Sequence, residues 1–95
     1  MNELIVTRHS ALVELLRERG IINGEPRVIA HATPEEIEGQ HVIGVLPLRL
    51  AALAASITEI PLTLPAEMRG RELTIGELRQ CAGEPVTYVV REVLR

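Results

Sequence analysis

Two common charged residue types are missing from this chain. All 10 basic side chains among its 95 residues are arginine and all 13 acidic ones are glutamate, so lysine and aspartate are absent. The absence of lysine excludes a P-loop, which needs a Gly-Lys-Ser/Thr sequence, and the absence of aspartate excludes aspartate-built Mg²⁺ sites. Tyr88 is the one aromatic residue. The chain therefore cannot form the aromatic base-stacking surface of an RRM or OB domain.

Cysteine, long apolar runs and excess charge are also scarce. Cys81 is the one cysteine and cannot form an intramolecular disulfide, as expected in a reducing compartment. No apolar run reaches the roughly 20 residues of a membrane helix, and no basic region precedes the first apolar stretch as in a signal peptide. The net charge of -3 leaves no basic face for DNA or long RNA. These features predict a cytoplasmic protein without a membrane partner.

The composition is that of a small globular domain. Hydrophobic residues make up 46 % of the chain and charged residues 24 %, which excludes a disordered tail. A chain of this size buries only about 60–65 % of the surface that it exposes when unfolded. We therefore expect a homodimer, the commonest way to bury more.

Short apolar runs alternate with helical patterns along the chain. The predicted strands are Leu4–Val6 (ending near Arg8), Arg27–Ala32, His41–Leu46, Ile57–Leu64 and Val86–Leu94. The predicted helices cover 10–20, a short segment after the Thr33–Glu36 capping box, 48–56, and 74–82 after a second capping box at Thr74 and Glu77. This alternation predicts a small Rossmann-like, doubly wound α/β fold with a mostly parallel sheet of about five strands and helices on both faces. The direction of the last strand is left open.

In open sheets of this kind, ligands bind beyond the carboxyl ends of the strands. Those ends are predicted at 7–10, 31–33, 44–47 and 63–64. The first and third lead directly into helices, whose free backbone N–H groups and positive dipole end attract phosphate. A phosphate-binding site is therefore expected at this edge of the sheet.

Three consecutive residues at the first strand end are the candidate catalytic group. Arg8 is a bidentate phosphate donor, His9 is titratable and Ser10 carries a hydroxyl. Arg49 falls in the first turn of the third helix, where a cation opposes the helix dipole and is better explained by a bound anion. The other substrate-binding residues predicted at these ends are Thr7, Ala11, Gly44, Leu46 and Pro47.

Structural interpretations of the same residues remain open. A role as helix N-cap is enough to explain Ser10. Close packing between strand and helix is enough to explain Gly44. His31 alternates with apolar residues and is interpreted as structural. The three histidines lack the tight spacing of a zinc site, and no metal or cofactor is predicted.

Three segments resemble a small family of CRISPR-associated proteins. They are Val6–Ala11 with the helix that follows it, Val42–Pro47, and Leu64–Leu73. In order and spacing they resemble the standalone Csx-type accessory proteins of type III systems, over nearly the whole chain. The resemblance implies one Rossmann-like, CARF-related domain over residues 1–95. It also implies a metal-independent, homodimeric ring nuclease that cleaves cyclic oligoadenylate, most often cyclic tetra-adenylate, and so ends the antiviral response.

The implied phosphodiesterase reaction needs few groups from the protein. A ribose 2′-hydroxyl attacks the neighbouring phosphorus and leaves linear oligoadenylate ending in a 2′,3′-cyclic phosphate. Arg8 and the N–H groups at Ser10 and Ala11 could stabilise the transition-state charge, and His9 could act as general acid or base. The resemblance also brings in Arg69, as a contact either to the ring or to the second protomer.

Two other functions fit part of the pattern. A non-catalytic domain that senses or sequesters a cyclic nucleotide would use the same anion site without turnover, and this is the main alternative. The segment Leu4–His9 also resembles the Arg-His motif of histidine phosphatases. However, Ser10 stands where those enzymes have glycine, and no histidine follows His41 to complete their site.

Overall fold

Within residues 3–94, which the computed structural model describes, five strands form one sheet. In chain order the elements are β1 (Leu4–Val6), α1 (Ser10–Glu18), β2 (Arg27–Ile29), α2 (Pro34–Ile37), β3 (His41–Gly44), α3 (Leu48–Ala51), β4 (Ser56–Glu59), a 3₁₀ turn (Ala66–Met68), α4 (Ile75–Cys81) and β5 (Val86–Tyr88). The strand order is β2-β1-β3-β4-β5. The first four strands are parallel and β5 is antiparallel to β4. The predicted doubly wound α/β fold is confirmed, and the direction of the last strand is now settled.

Side chains of β1 alternate between two hydrophobic cores, one on each face of the sheet. Ile5 packs with Leu16 of α1, whereas Leu4 packs with Ile37 of α2. The adjacent strand β3 shows the same alternation. Full burial of each such side chain contributes roughly 1.5–3 kcal/mol. Because α4 contacts α1 and α3 contacts α2, helices cover both faces, as predicted.

Both predicted capping boxes form. The Thr33 hydroxyl accepts from the Glu36 N–H at 3.3 Å, and the Glu36 carboxylate accepts from the Thr33 N–H at 3.2 Å. Thr74 and Glu77 make the same pair of bonds at 3.2 and 3.0 Å. A cap of this kind stabilises its helix by about 1 kcal/mol. The starts of α2 and α4 therefore follow directly from local sequence.

The strands beside β1 are shorter than predicted. The pairing partners of Val6, the last residue of β1, are Ile29 and Gly44. Those residues end β2 and β3, which therefore stop before the predicted ends at Ala32 and Leu46. The end of β1 therefore coincides with the ends of both of its neighbours.

The later elements were also predicted too long. The helix α3 is one turn and does not reach Ser56, because Ser56 already pairs with His41 in the β3–β4 ladder. The strand β4 ends at Glu59 and not at 64, since Pro61 has no N–H to donate to a ladder. The strand β5 ends at Tyr88 and not at 94, because Tyr88 pairs with Ile57, one residue from the start of β4.

In the described part of the chain, no helix has both the length and the apolar character required to span a bilayer.

Candidate functional site

A pocket of about 390 Å³ opens where β1 and β3 end. This is the point at which the strand order reverses, the usual ligand position in such sheets. Its polar lining includes Thr7, Arg8 and His9, and its apolar lining includes Leu12 and Leu62. We call it the strand-end pocket. An apolar cavity with a cationic group at one edge suits a ligand that combines an anion with an uncharged ring.

The turn from β1 into α1 is held by Thr7. Its backbone N–H donates to the Ile29 carbonyl of β2 at 2.9 Å, and its hydroxyl accepts from the His9 N–H at 3.0 Å. The N-cap of α1 is His9, not Ser10, which is the first helical residue. The interpretation of Ser10 as the N-cap is therefore wrong. Because the Thr7 hydroxyl accepts from the N–H of His9, the backbone on either side of Arg8 is held in one conformation at the mouth of the pocket.

Gly44 allows β3 to approach β1 closely at the strand-end pocket. Its φ is 145°, and a Cβ atom built there would clash with the carbonyl oxygen of Val6. Residues with a Cβ rarely adopt this backbone conformation. The close approach is thus between two strands, and not between strand and helix as the structural interpretation of Gly44 held.

Arg8 meets a histidine from the neighbouring strand end. Its Nη2 lies 3.4 Å from Nδ1 of His31, which follows β2. Arginine can only donate, so this contact requires Nδ1 of His31 to accept and the ring proton to lie on Nε2. His31 is exposed at this edge and is not part of either core. The interpretation of His31 as a structural residue does not explain an exposed side chain beside Arg8. The pairing of β1 with β2 is what brings the two residues together.

The charges of the site are unbalanced. Within residues 3–94, the arginine–glutamate ion pairs involve Arg27, Arg71 and Arg79, and no carboxylate pairs with Arg8. The same residues contain no cluster of three His, Cys or Glu side chains that could hold a metal ion. Among the described residues, no carboxylate thus competes with an external anion for the guanidinium of Arg8.

Ser10 and Ala11 form the first turn of α1, directly beside the strand-end pocket but not in its lining. N–H groups in the first turn of a helix have no partner within the helix. The nine-residue helix also places its positive end at this point. An anion held by Arg8 would thus lie near a second source of positive potential.

The remaining predicted residues lie elsewhere. Leu46 lines an adjoining apolar pocket together with Leu48, not the strand-end pocket itself. Pro47 is the N-cap of α3 without a side-chain hydrogen bond. Because α3 is a single turn, its dipole is too small to support the argument that Arg49 marks a bound anion. Arg69 is exposed after the 3₁₀ turn and lines neither the strand-end pocket nor the pocket at Leu46.

A second pocket of about 430 Å³ shares four residues with the first, namely Arg8, His9, Leu12 and Leu62. Its other side is formed by the segment between β4 and α4, including Leu64, Met68 and Gly70, and by Leu78 of α4. We call it the loop pocket. From this segment, Arg69 alone was predicted as a possible ligand contact, whereas Met68 and Gly70 on either side of it line the pocket. Nothing local in the segment indicates that it packs beside α1.

The segment that forms the loop pocket is fixed to α4. Arg71 donates to the Glu77 carboxylate at 3.0 Å, and Met68 packs against the core formed by Leu15, Leu73 and Leu78. The hydrogen bond from Arg71, followed by that from the Thr74 backbone, lowers the pKa of Glu77 from 4.5 to about 2. Glu77 therefore joins the helix cap and the pocket wall.

A family model described as "Putative CRISPR-associated protein (Cas_VVA1548)" matches residues 4–91. The chain belongs to this family. The Cas_VVA1548 match spans all five strands of the described structure and both pockets. It confirms the predicted resemblance to small CRISPR-associated accessory proteins. No curated protein and no solved structure matches the chain significantly.

Proposed function

We propose that this chain is a ring nuclease of type III CRISPR defence, which binds cyclic tetra-adenylate and opens it without a metal ion. The observation that carries the proposal is Arg8, a guanidinium without a carboxylate partner in the described structure, at the start of α1 and at the switch point of the sheet. Membership of a CRISPR-associated family supports it. A relation to CARF domains and a cytoplasmic location belong to the same proposal.

The proposed reaction uses the substrate's own nucleophile. A ribose 2′-oxygen forms a bond to the adjacent phosphorus, the bond from phosphorus to the 5′-oxygen breaks, and the 2′-proton is lost. The leaving 5′-oxygen gains a proton, and the product ends in a 2′,3′-cyclic phosphate. Arg8 and the first-turn N–H groups would stabilise the charge on the phosphoryl oxygens. His9, exposed beside Arg8, would transfer one of the two protons.

A homodimer is part of this proposal. The apolar pocket beside the site is lined by Leu48 and Tyr88, which are 76 % and 49 % exposed. It shares Gly44 and Val45 with the strand-end pocket. A second copy covering this surface would bring two strand-end pockets together, as a ring with two-fold symmetry requires. Exposed apolar surface of this kind commonly marks a protein interface.

The alternative function is binding without cleavage. Within the described residues, no group hydrogen-bonds the imidazole ring of His9; the bonds of this residue are made by its backbone, to Thr7 and Leu12. A general acid or base is normally oriented by a partner. This observation favours a domain that senses or sequesters cyclic oligoadenylate through Arg8.

The test is incubation of the protein with cyclic tetra-adenylate or hexa-adenylate in EDTA, followed by chromatography of the products. Linear products ending in a cyclic phosphate are expected from one of the rings. Replacement of Arg8 by Ala should lower the rate about 10²–10³-fold, and His9→Ala should lower it about 10²–10⁴-fold while binding persists. Arg91→Ala, which removes an exposed arginine outside both pockets, is the control.

Intact rings after long incubation, also with Mg²⁺ or Mn²⁺ restored, would refute the enzymatic proposal. Tight binding in that case would establish the sensor. Absence of binding would refute both functions.

A further inference from the structure

The strand-end pocket and the loop pocket meet along Arg8 and His9. We infer that they are two halves of one groove, and that the loop pocket holds a second nucleoside on the far side of the phosphodiester bound at Arg8. This inference rests on the proposed function and deepens it. It makes the smallest complete ligand of one protomer a dinucleoside phosphate and not a mononucleotide.

The dimensions of the two pockets agree with this assignment. Their volumes are about 390 and 430 Å³, and each alone lies in the range of about 300–1,000 Å³ that is usual for sites of small organic ligands. Leu12 and Leu62 line both, so the apolar surface continues from one to the other. A ligand longer than one nucleoside can therefore remain in contact with the protein on both sides of Arg8.

The chemistry of the loop pocket suits an uncharged ring. Leu64, Met68 and Leu78 supply aliphatic and thioether groups, and a thioether makes favourable contacts with aromatic rings. This offers a way to hold a base in a chain with no aromatic residue except Tyr88, which lines neither half of the groove. Besides Arg8 and His9, the lining has two titratable residues: Arg71, which is already bonded to Glu77, and Glu72, which is exposed.

The position of the charge determines how the ligand lies. Arg8 and His9 line both halves, whereas no other basic residue lines the strand-end pocket. An anion is thus favoured at the junction, with uncharged groups on either side of it. A phosphodiester has one charge between two nucleosides and matches this order, whereas a terminal phosphate would leave one half without a base.

Binding of two ligands by calorimetry tests the inference. One is 2′-O-methyladenylyl-(3′→5′)-adenosine, which cannot be cleaved by its own 2′-hydroxyl, and the other is adenosine 5′-monophosphate. The dinucleotide should bind at least roughly tenfold more tightly, because its second nucleoside binds as part of the same molecule. The same protein is assayed with cyclic tetra-adenylate for KM and kcat.

Met68→Glu places a carboxylate in the loop pocket, and Ala66→Glu places one on the same 3₁₀ turn, exposed and outside the pocket. Met68→Glu should weaken dinucleotide binding and raise KM by about tenfold or more, since it replaces the half-buried thioether proposed to contact the base with a charged group. Binding of the monophosphate should change less than about twofold, because its phosphate would bind at the junction and its nucleoside in the strand-end pocket, away from Met68. Ala66→Glu should resemble the wild type. If Met68→Glu does not fold, Met68→Gln, which keeps the side-chain length, replaces it in the same measurements.

The two proposals fail in different ways. If the wild type cleaves a ring but binds the dinucleotide no better than the monophosphate, or if both Met68 variants retain wild-type dinucleotide affinity, the second nucleoside site is refuted and the nuclease stands. If the wild type neither binds nor cleaves any ring, the proposed function itself has failed and the inference fails with it.

Discussion

Replacement of Gly44 by alanine tests the close approach on which the strand-end pocket depends. The new Cβ would clash with the carbonyl oxygen of Val6, in the interior strand β1. Backbone must move, since neither atom belongs to a flexible side chain. The unfavourable backbone conformation costs about 1–3 kcal/mol and the displacement of β1 about 1–3 kcal/mol more.

Gly24→Ala is the matched control. Gly24 has a φ of 70°, also in the region that favours glycine, but a Cβ there would meet nothing within 4 Å. Its alanine variant should lose only about 1–2 kcal/mol, the cost of the left-handed conformation. The difference between the two variants therefore isolates the contact between β3 and β1.

Thermal unfolding followed by circular dichroism measures both variants. In a domain of this size, 1 kcal/mol lowers the Tm by roughly 4–8 °C, so Gly44→Ala should melt at least about 8 °C below wild type and clearly below Gly24→Ala. Ligand affinity should fall only in Gly44→Ala, because β1 leads into Arg8. Equal melting temperatures for the two variants would refute the argument that Gly44 is required by this contact.

Three further predictions concern other parts of the molecule. His31→Ala should lower kcat about tenfold, because Arg8 loses its partner and is misplaced. His31→Gln keeps a hydrogen-bond acceptor and should retain most of the wild-type kcat. Equal rates for the two variants, with unchanged Tm, would contradict a positioning role for His31. The lowered pKa of Glu77 means that it stabilises the fold above pH 4.5 and that this contribution is lost as the pH falls toward 2. The stability difference between wild type and Glu77→Gln should therefore shrink over that interval in urea titrations, and a constant difference would exclude the Arg71 bond as its source. Leu48→Glu should convert the proposed dimer to a monomer in analytical ultracentrifugation, and a variant that sediments as wild type would place the interface elsewhere.

The sheet and its helices could be predicted because they depend on local patterns. Thr33 and Thr74 act on residues three positions along the chain, so a short segment contains all the information needed for α2 and α4. The apolar run Leu4–Val6 marks a buried strand in the same way. Direct agreement between local pattern and final fold is expected of a sequence that folds to one structure.

Strand ends and the composition of the site could not be predicted in this way. The end of β2 depends on its register with β1, and the Arg8–His31 contact joins residues 23 positions apart. The clash that makes Gly44 necessary depends on the same register. The loop pocket requires the segment around Met68 to pack beside α1, a long-range arrangement that no periodicity in the sequence reports.

The sheet order has a consequence for thermal behaviour. β1 is bonded on both sides, whereas β2 is an edge strand with Arg27 and Val28 exposed. Edge elements with little buried surface open at lower free energy than central ones. Arg8 follows a strand that is paired on both sides, and His31 follows an edge strand. Local opening of β2 would release the arginine from its partner while the core persists, so activity should decline on heating before the molecule unfolds.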